Sequence, residues 1–269
     1  MKYILICIAT LLICVGLGAG MAYILKKCLK KPMPSAKVAL LGFAAVVLLL
    51  IAVMLVYFGI YYHAEETAQK AMNGTDTVRV EAVRGGTWFD GAGEDTALIF
   101  YAGAKVEEEA YAPLMTALAE NGIDCFLADI PLHFAIFGGN IADSFISAYS
   151  YDTWLMAGHS MGGLMAANYA CGHPDTVDGV VLLAAYSTHP LDAGLKLISV
   201  YGSEDGCLNR QEYEKDRQNW PENALECVID GGNHAGFGMY GFQRGDGKAL
   251  ISADEQQKQT VQAILEGLR

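Results

Sequence analysis

Ser160 stands between glycines in Gly158-His159-Ser160-Met161-Gly162-Gly163, the Gly-x-Ser-x-Gly spacing that exposes a serine hydroxyl on a sharp strand-to-helix turn. The apolar and small residues Trp154 to Ala157 lead into it, and the helix-forming run Leu164 to Ala170 leads out. Glycine at 158 and 162 removes the Cβ atoms that would hold strand and helix apart. A serine hydroxyl is a weak nucleophile at neutral pH and needs a base, commonly a histidine oriented by a carboxylate. Two later stretches supply both, in the chain order Ser…Asp…His. Asp205 lies in the turn after the strand-like run Leu195 to Gly202, and His234 lies in the glycine-rich loop after Leu225 to Asp230. Glu204 and Asp230 are the other carboxylates at hand; Asp205 better occupies the turn position. His159 sits within the motif itself, where its side chain faces away from the serine or flanks the pocket. His133, His173 and His189 follow no strand in the required order, and His63 precedes the region altogether.

Attack on an acyl carbon also needs donors for the oxyanion that forms. One is the backbone N–H of Met161, next to the serine. The second is expected from the loop after Ala97 to Tyr101, at Ala104 first and Lys105 second. Phe134, Ile136 and Phe137 follow a strand end and either line an acyl-binding wall or pack beneath their loop. Lys105, His159, Phe134 and Phe137 are therefore the substrate contacts expected. The short connection between Ala184 and Leu195 leaves no room for a large lid.

The elements that must position these groups are legible as runs. Thr77 to Val83 alternates apolar and polar residues, a short strand fits around Trp88, and Ala97 to Tyr101 is continuously apolar. Glu107 to Glu120 reads as a helix closed by Gly122, with Pro113 moving its regular start. Ile123 to Ile130, the run before the serine, Val177 to Tyr186, Leu195 to Gly202 and Leu225 to Asp230 are strand-like. Strands alternating with helices predict an α/β fold, a mostly parallel sheet with helices on both faces and its functional loops along one rim.

On Tyr101-Ala-Gly-Ala-Lys-Val-Glu-Glu-Glu-Ala-Tyr-Ala-Pro-Leu114, Ala157 to Gly163, Tyr201 to Gly206 and Gly231 to Phe237, residues 77–269 resemble the α/β-hydrolase superfamily. The resemblance is to its small dienelactone-hydrolase-like and esterase branch. Dienelactone enzymes carry a cysteine nucleophile where this chain has Ser160. The resemblance implies about eight mostly parallel strands and hydrolysis of carboxylic esters or related acyl compounds through Ser160, His234 and Asp205, without metal or organic cofactor. A peptidase, amidase or thioesterase would run on the same three residues. A non-catalytic binding protein would need none of them.

The first sixty-odd residues are of another kind. Tyr3 to Leu25 and Val38 to Tyr62 are apolar runs long enough to cross a bilayer, separated by Lys26, Lys27, Lys30, Lys31, Pro32, Pro34 and Lys37. They predict a membrane hairpin over 1–63, with spans at 3–25 and 38–62 and a basic loop at 26–37, joined by a linker at 64–76 to the domain at 77–269. Tyr57, Tyr61 and Tyr62 fit an interfacial aromatic belt, and the lysines place the loop in the cytoplasm and the domain outside the cell. A cleaved signal peptide over Met1 to Gly20 is the alternative, although its apolar run exceeds the usual ~7–15 residues. The partners expected are thus the lipid bilayer and a small ester or acyl substrate. A formal charge of −12 speaks against nucleic acid. In an extracellular domain Cys207 and Cys227 are a possible disulfide, or else separate thiols.

Overall fold

Thr96–Tyr101 is buried on both faces because strands pair with it on either side and helices cover the sheet. The structure, a computed structural model, describes residues 16–18, 20, 21, 23, 24, 26–28, 34–93 and 95–269. It divides into two units, Met1–Ile60 and Tyr61–Arg269.

In the first unit, helix α1 runs Ser35–Phe58 and contains an 18-residue stretch of mean hydropathy 3.1, and it is the one helix among the described residues long and apolar enough to cross a membrane. Its 24 residues span about 36 Å, more than a ~30 Å hydrocarbon core. It stops at Phe58, where the Gly59 N–H closes on the Leu55 carbonyl, so Tyr61 and Tyr62 are not part of it as expected. Most of the expected first span, 3–25, lies outside the described residues, as do Lys30, Lys31 and Pro32 of the basic loop.

The second unit is built on eight strands: β1 Arg79–Val83, β2 Gly86–Asp90, β3 Thr96–Tyr101, β4 Asp124–Ala128, β5 Thr153–His159, β6 Gly179–Leu183, β7 Lys196–Gly202 and β8 Leu225–Ile229. They form one sheet in the order β1-β2-β4-β3-β5-β6-β7-β8. Only the β1–β2 and β2–β4 pairings are antiparallel. Helices α2 (Glu66–Ala71), α3 (Ala112–Glu120) and α7 (Ala253–Leu268) contribute to one core; α4 (Ala142–Ile146) and α5 (Met161–Gly172) contribute to the other. Helix α6 (Arg210–Asp216) is tied to the sheet by Tyr213, whose hydroxyl meets Ser199 Oγ at 2.9 Å. The expected helix over 107–120 is split: Glu108–Tyr111 is a 3-10 turn and the regular helix starts at Ala112, because Pro113 suits only its first turn. Cys207 and Cys227 are both free thiols, so the possible disulfide is not formed. Cys227 pairs with Val200 inside the sheet, whereas Cys207 lies beyond the end of β7.

Register brings the strand ends level. Tyr101 pairs with Gly158, His159 with Leu183, Leu183 with Val200, and Gly202 with Ile229. Ser160, Asp205 and His234 each follow one of these ends, so one rim of the sheet carries all three.

The approach of α5 to this rim leaves no slack. A Cβ on Gly162 would stand 2.1 Å from the Tyr101 carbonyl oxygen and 2.4 Å from that of Ala102, both backbone atoms that cannot swing aside. At the other end of the helix, a Cβ on Gly172 meets nothing within 4 Å. Gly162→Ala is expected to destabilise the globular unit by about 3 kcal/mol or more, while Gly172→Ala is neutral or stabilising by up to about 1 kcal/mol. Urea unfolding followed by tryptophan fluorescence checks both, because Trp88, Trp154 and Trp220 all lie in this unit.

Candidate active site

Ser160 sits between β5 and α5 at φ 54°, ψ −120°. A side-chain-bearing residue held there costs on the order of 1–3 kcal/mol, so its surroundings must impose it. Its N–H donates to the Leu183 carbonyl at 2.9 Å, and its own carbonyl accepts from Leu164 N–H at 3.2 Å. Gly158 and Gly163 make the turn possible: a Cβ on the first would meet Gly162 backbone at 2.4 Å, and one on the second would meet Ala185 Cβ at 2.5 Å.

Asp205 is 8% exposed and both its oxygens are engaged. Oδ1 accepts from the N–H groups of Cys207 (2.8 Å) and Leu208 (2.7 Å), which fixes the carboxylate plane. Oδ2 meets His234 Nδ1 at 2.9 Å, in a pair that is almost wholly buried. With the carboxylate as acceptor, Nδ1 carries the proton and Nε2 keeps its lone pair. Ser160 and His234 line one cavity of about 230 Å³, together with Met161, Leu164, Tyr186 and Leu208. Glu204 and Asp230 instead take the Ser203 hydroxyl, at 3.0 and 3.5 Å, on the exposed side of the turn.

The loop carrying His234 is held by groups that sequence reasoning missed. Asp246 accepts from the backbone N–H groups of Gly206 (3.0 Å), His234 (3.2 Å) and Ala235 (2.8 Å). One carboxylate thus joins the Asp205 turn to the His234 turn. Gln256, 1% exposed on α7, clasps Asn233 from both sides, accepting from its N–H at 3.0 Å and donating to its carbonyl at 2.7 Å. A signal existed in the Gly245-Asp246-Gly247 turn, where a Cβ on Gly247 would strike the Glu204 carbonyl oxygen at 1.8 Å.

His159 is corrected from pocket wall to buried support. It is 1% exposed, its ring lies 4.4 Å from that of His234 and 5.6 Å from Phe237, and Nδ1 meets the Tyr111 hydroxyl at 2.8 Å. Gly103 N–H donates to the same hydroxyl at 3.2 Å, which leaves the Tyr111 hydrogen for His159. Burial, and then the neighbouring His234, holds the His159 imidazole well below its ordinary pKa, so it stays neutral. Burial likewise pushes the Tyr111 hydroxyl up.

Of the expected oxyanion donors, Met161 lines the cavity and Ala104 lies in the turn after β3, outside the cavity lining. The Lys105 N–H is committed to the His133 carbonyl at 2.7 Å, which removes it as the second choice. None of Lys105, His159, Phe134 and Phe137 lines the Ser160 cavity. The two phenylalanines pack toward each other at 6.4 Å on a loop whose Phe137 is 53% exposed. Among the described residues no cluster of His, Cys, Asp and Glu could hold a metal ion.

The sequence over residues 97–258 matches the model of the Alpha/beta hydrolase family, which spans β3 to α7 and every residue just placed around the cavity. The chain belongs to the alpha/beta hydrolase family. Solved structures agree on the fold of this hydrolase. TT1662 from Thermus thermophilus superposes with a TM-score of 0.52 at 14% identity, over 71% of this chain and 98% of that one. An epoxide hydrolase variant of Vigna radiata gives 0.53 at 10% identity, over 72% and 99%. A membrane phospholipase A, described as a bacterial virulence factor, gives 0.51 at 13% identity, over 83% and 97%. No curated protein matches the hydrolase by sequence.

The neutrality of His159 has a measurable consequence. Its folded pKa lies below the ordinary 6.5, so above that pH neither state is charged and its contribution is fully present. As pH falls from 6.5 toward about 5, the unfolded chain takes up a proton that the folded site refuses, and stability drops with a slope of up to one proton. His159→Phe, which keeps a ring against His234, is expected to flatten the urea midpoint across that window relative to the unsubstituted hydrolase.

Proposed function

We propose that this hydrolase cleaves carboxylic esters through an acyl-enzyme on Ser160. His234 Nε2 takes the hydroxyl proton as Ser160 Oγ attacks the carbonyl carbon, and Asp205 keeps the imidazole in that tautomer and stabilises the imidazolium. The N–H groups of Met161 and Ala104 hold the oxyanion. Collapse expels the alcohol, which leaves with the proton from His234, and a water activated by the same base then releases the acid. The observation that carries this reading is the buried Asp205–His234 contact at 2.9 Å beside a cavity that Ser160 shares.

The size of that cavity bears on the substrate. About 230 Å³ is below the ~300–1,000 Å³ of sites for drug-sized ligands, so a short acyl group fits it better than a fatty chain. In the same reading α1 anchors the hydrolase in a membrane, the run 3–25 crosses as well, and the lysines between them stay cytoplasmic while the globular unit faces outward. Support for this comes from the length and apolarity of α1 and from the charge asymmetry of its flanks.

Ser160→Ala is expected to abolish labelling by a fluorophosphonate, and His234→Ala to lower ester turnover by at least about a thousandfold with the fold intact. A panel of p-nitrophenyl esters, thioesters and aminoacyl amides should show acetyl and propionyl esters ahead of octanoyl ones. Serine labelling that persists in the Ser160 variant counts against the nucleophile, and faster amide or thioester turnover counts against an esterase. Protease added to intact cells should remove the globular unit; its protection would reverse the orientation.

A further inference from the structure

We infer that Tyr61–Glu65, the stretch directly after the apolar helix, is a positioning strap that sets the oxyanion turn of the site; this rests on the triad reading above. A mere tether would be a flexible polar segment with free backbone groups. Here the backbone is spoken for. Tyr62 N–H donates to the Lys105 carbonyl at 2.7 Å, and Glu107 N–H donates back to the Tyr62 carbonyl at 2.9 Å, a parallel bridge between Tyr62 and Val106. Ala64 N–H donates to Glu107 Oε2 at 2.7 Å, and Glu65 N–H donates to the Met239 carbonyl at 2.8 Å. Tyr62 also reaches the loop after His234: its hydroxyl accepts from Arg244 N–H at 3.2 Å, and its ring lies 5.6 Å from that of Tyr240. Tyr61 packs its ring on His133 at 4.1 Å.

What the strap holds is strained. Lys105 stands at φ 61°, and Leu132 and His133 at φ 60° and 52°, a left-handed conformation that side-chain-bearing residues adopt only when neighbours impose it. Both peptide groups of Lys105 are bonded from outside its turn, its N–H to the His133 carbonyl and its carbonyl by Tyr62 N–H. On the other side, Gly103 N–H is bonded to the Tyr111 hydroxyl. Ala104 is thus pinned between two anchored neighbours, and its peptide is the one assigned to the oxyanion. His133 is itself fixed by Glu108 Oε2, 2.9 Å from its Nδ1. The strap therefore links two loops, the turn after β3 that carries Ala104 and the loop after His234, and it is continuous with the chain leaving α1.

The test uses the full chain in detergent micelles or nanodiscs. Tyr62→Pro removes the N–H that holds Lys105, and Glu107→Ala removes the acceptor of Ala64, whereas Glu107→Gln keeps an acceptor oxygen. In both Tyr62→Pro and Glu107→Ala, kcat on p-nitrophenyl acetate is expected to fall about tenfold or more with KM changed less than about threefold. Hydrogen exchange across 102–107 should rise while that of β5 and α5 does not, and Glu107→Gln should recover most of both effects. Should Tyr62→Pro fail to fold, the Glu107 pair decides. Unchanged exchange at 102–107 overturns the strap, and raised exchange with unchanged kcat overturns its link to catalysis. A wild-type chain inert to both ester and fluorophosphonate overturns the triad reading instead, and the strap's catalytic role falls with it.

Discussion

The fit of α5 against the ends of β3 and β5, with no atom to spare, is the constraint from which the rest of the site follows. Glycine at 158, 162 and 163 lets backbone lie on backbone, and the residue between the strand and the helix is then forced to positive φ. That residue is Ser160. The strain is local, and it is tolerated because the turn is anchored at both peptide groups and backed by a sheet buried on both faces. A serine on a relaxed turn would have its hydroxyl turned into the helix or toward solvent. The same compression brings the first N–H groups of α5 to the rim, where a developing negative charge would meet them.

Around this fixed point the two histidines of the rim are sorted by their surroundings rather than by their type. His234 has a carboxylate on Nδ1, and its loop is held by Asp246 and Gln256 through backbone atoms, so its other nitrogen is left for the cavity. His159 has a tyrosine hydroxyl on Nδ1 and no acid beside it, and burial keeps it neutral. A charged ring in its place would repel any positive charge on His234; a neutral one only packs against it. The Gly103–Tyr111–His159 chain therefore joins the turn after β3 to the ring packed against His234.

Much of this was legible in the chain. The strands read as apolar runs because both faces of a parallel sheet are covered, and Ser160, Asp205 and His234 fall along one rim because each follows such a run. What was not legible depends on partners distant in sequence. The partners of Asp246 are backbone N–H groups 11 to 40 residues away, which leave no side-chain pattern. The chain leaves open whether His159 faces away from the serine or flanks the pocket, because the alternation of a strand cannot say what lies beneath its last residue, here Tyr111 and Phe237. Tyr61 and Tyr62 read as membrane-interface residues because they are aromatic and follow an apolar run. Their hydrogen bonds and ring contacts, made with residues more than forty positions on, place them in the globular unit.

That last displacement changes how the two units are to be understood. If the chain after the helix were slack, the globular unit would be a cargo, and its chemistry would be indifferent to what holds it. Instead the first residues after Ile60 are built into the turn after β3 and the loop after His234, through bonds to Lys105, Glu107 and Met239. The turn at Lys105 stands at positive φ, and the segment that braces it is the one that follows α1 in the chain. The boundary of the folded unit therefore falls at Tyr61, upstream of the sequence-based domain start at residue 77. A fragment cut inside the strap would keep the sheet with Ser160, Asp205 and His234, yet lose backbone donors to the Lys105 and Met239 carbonyls. Position along the chain and position in the site are here separate properties, and only the second says what the residue after the helix does.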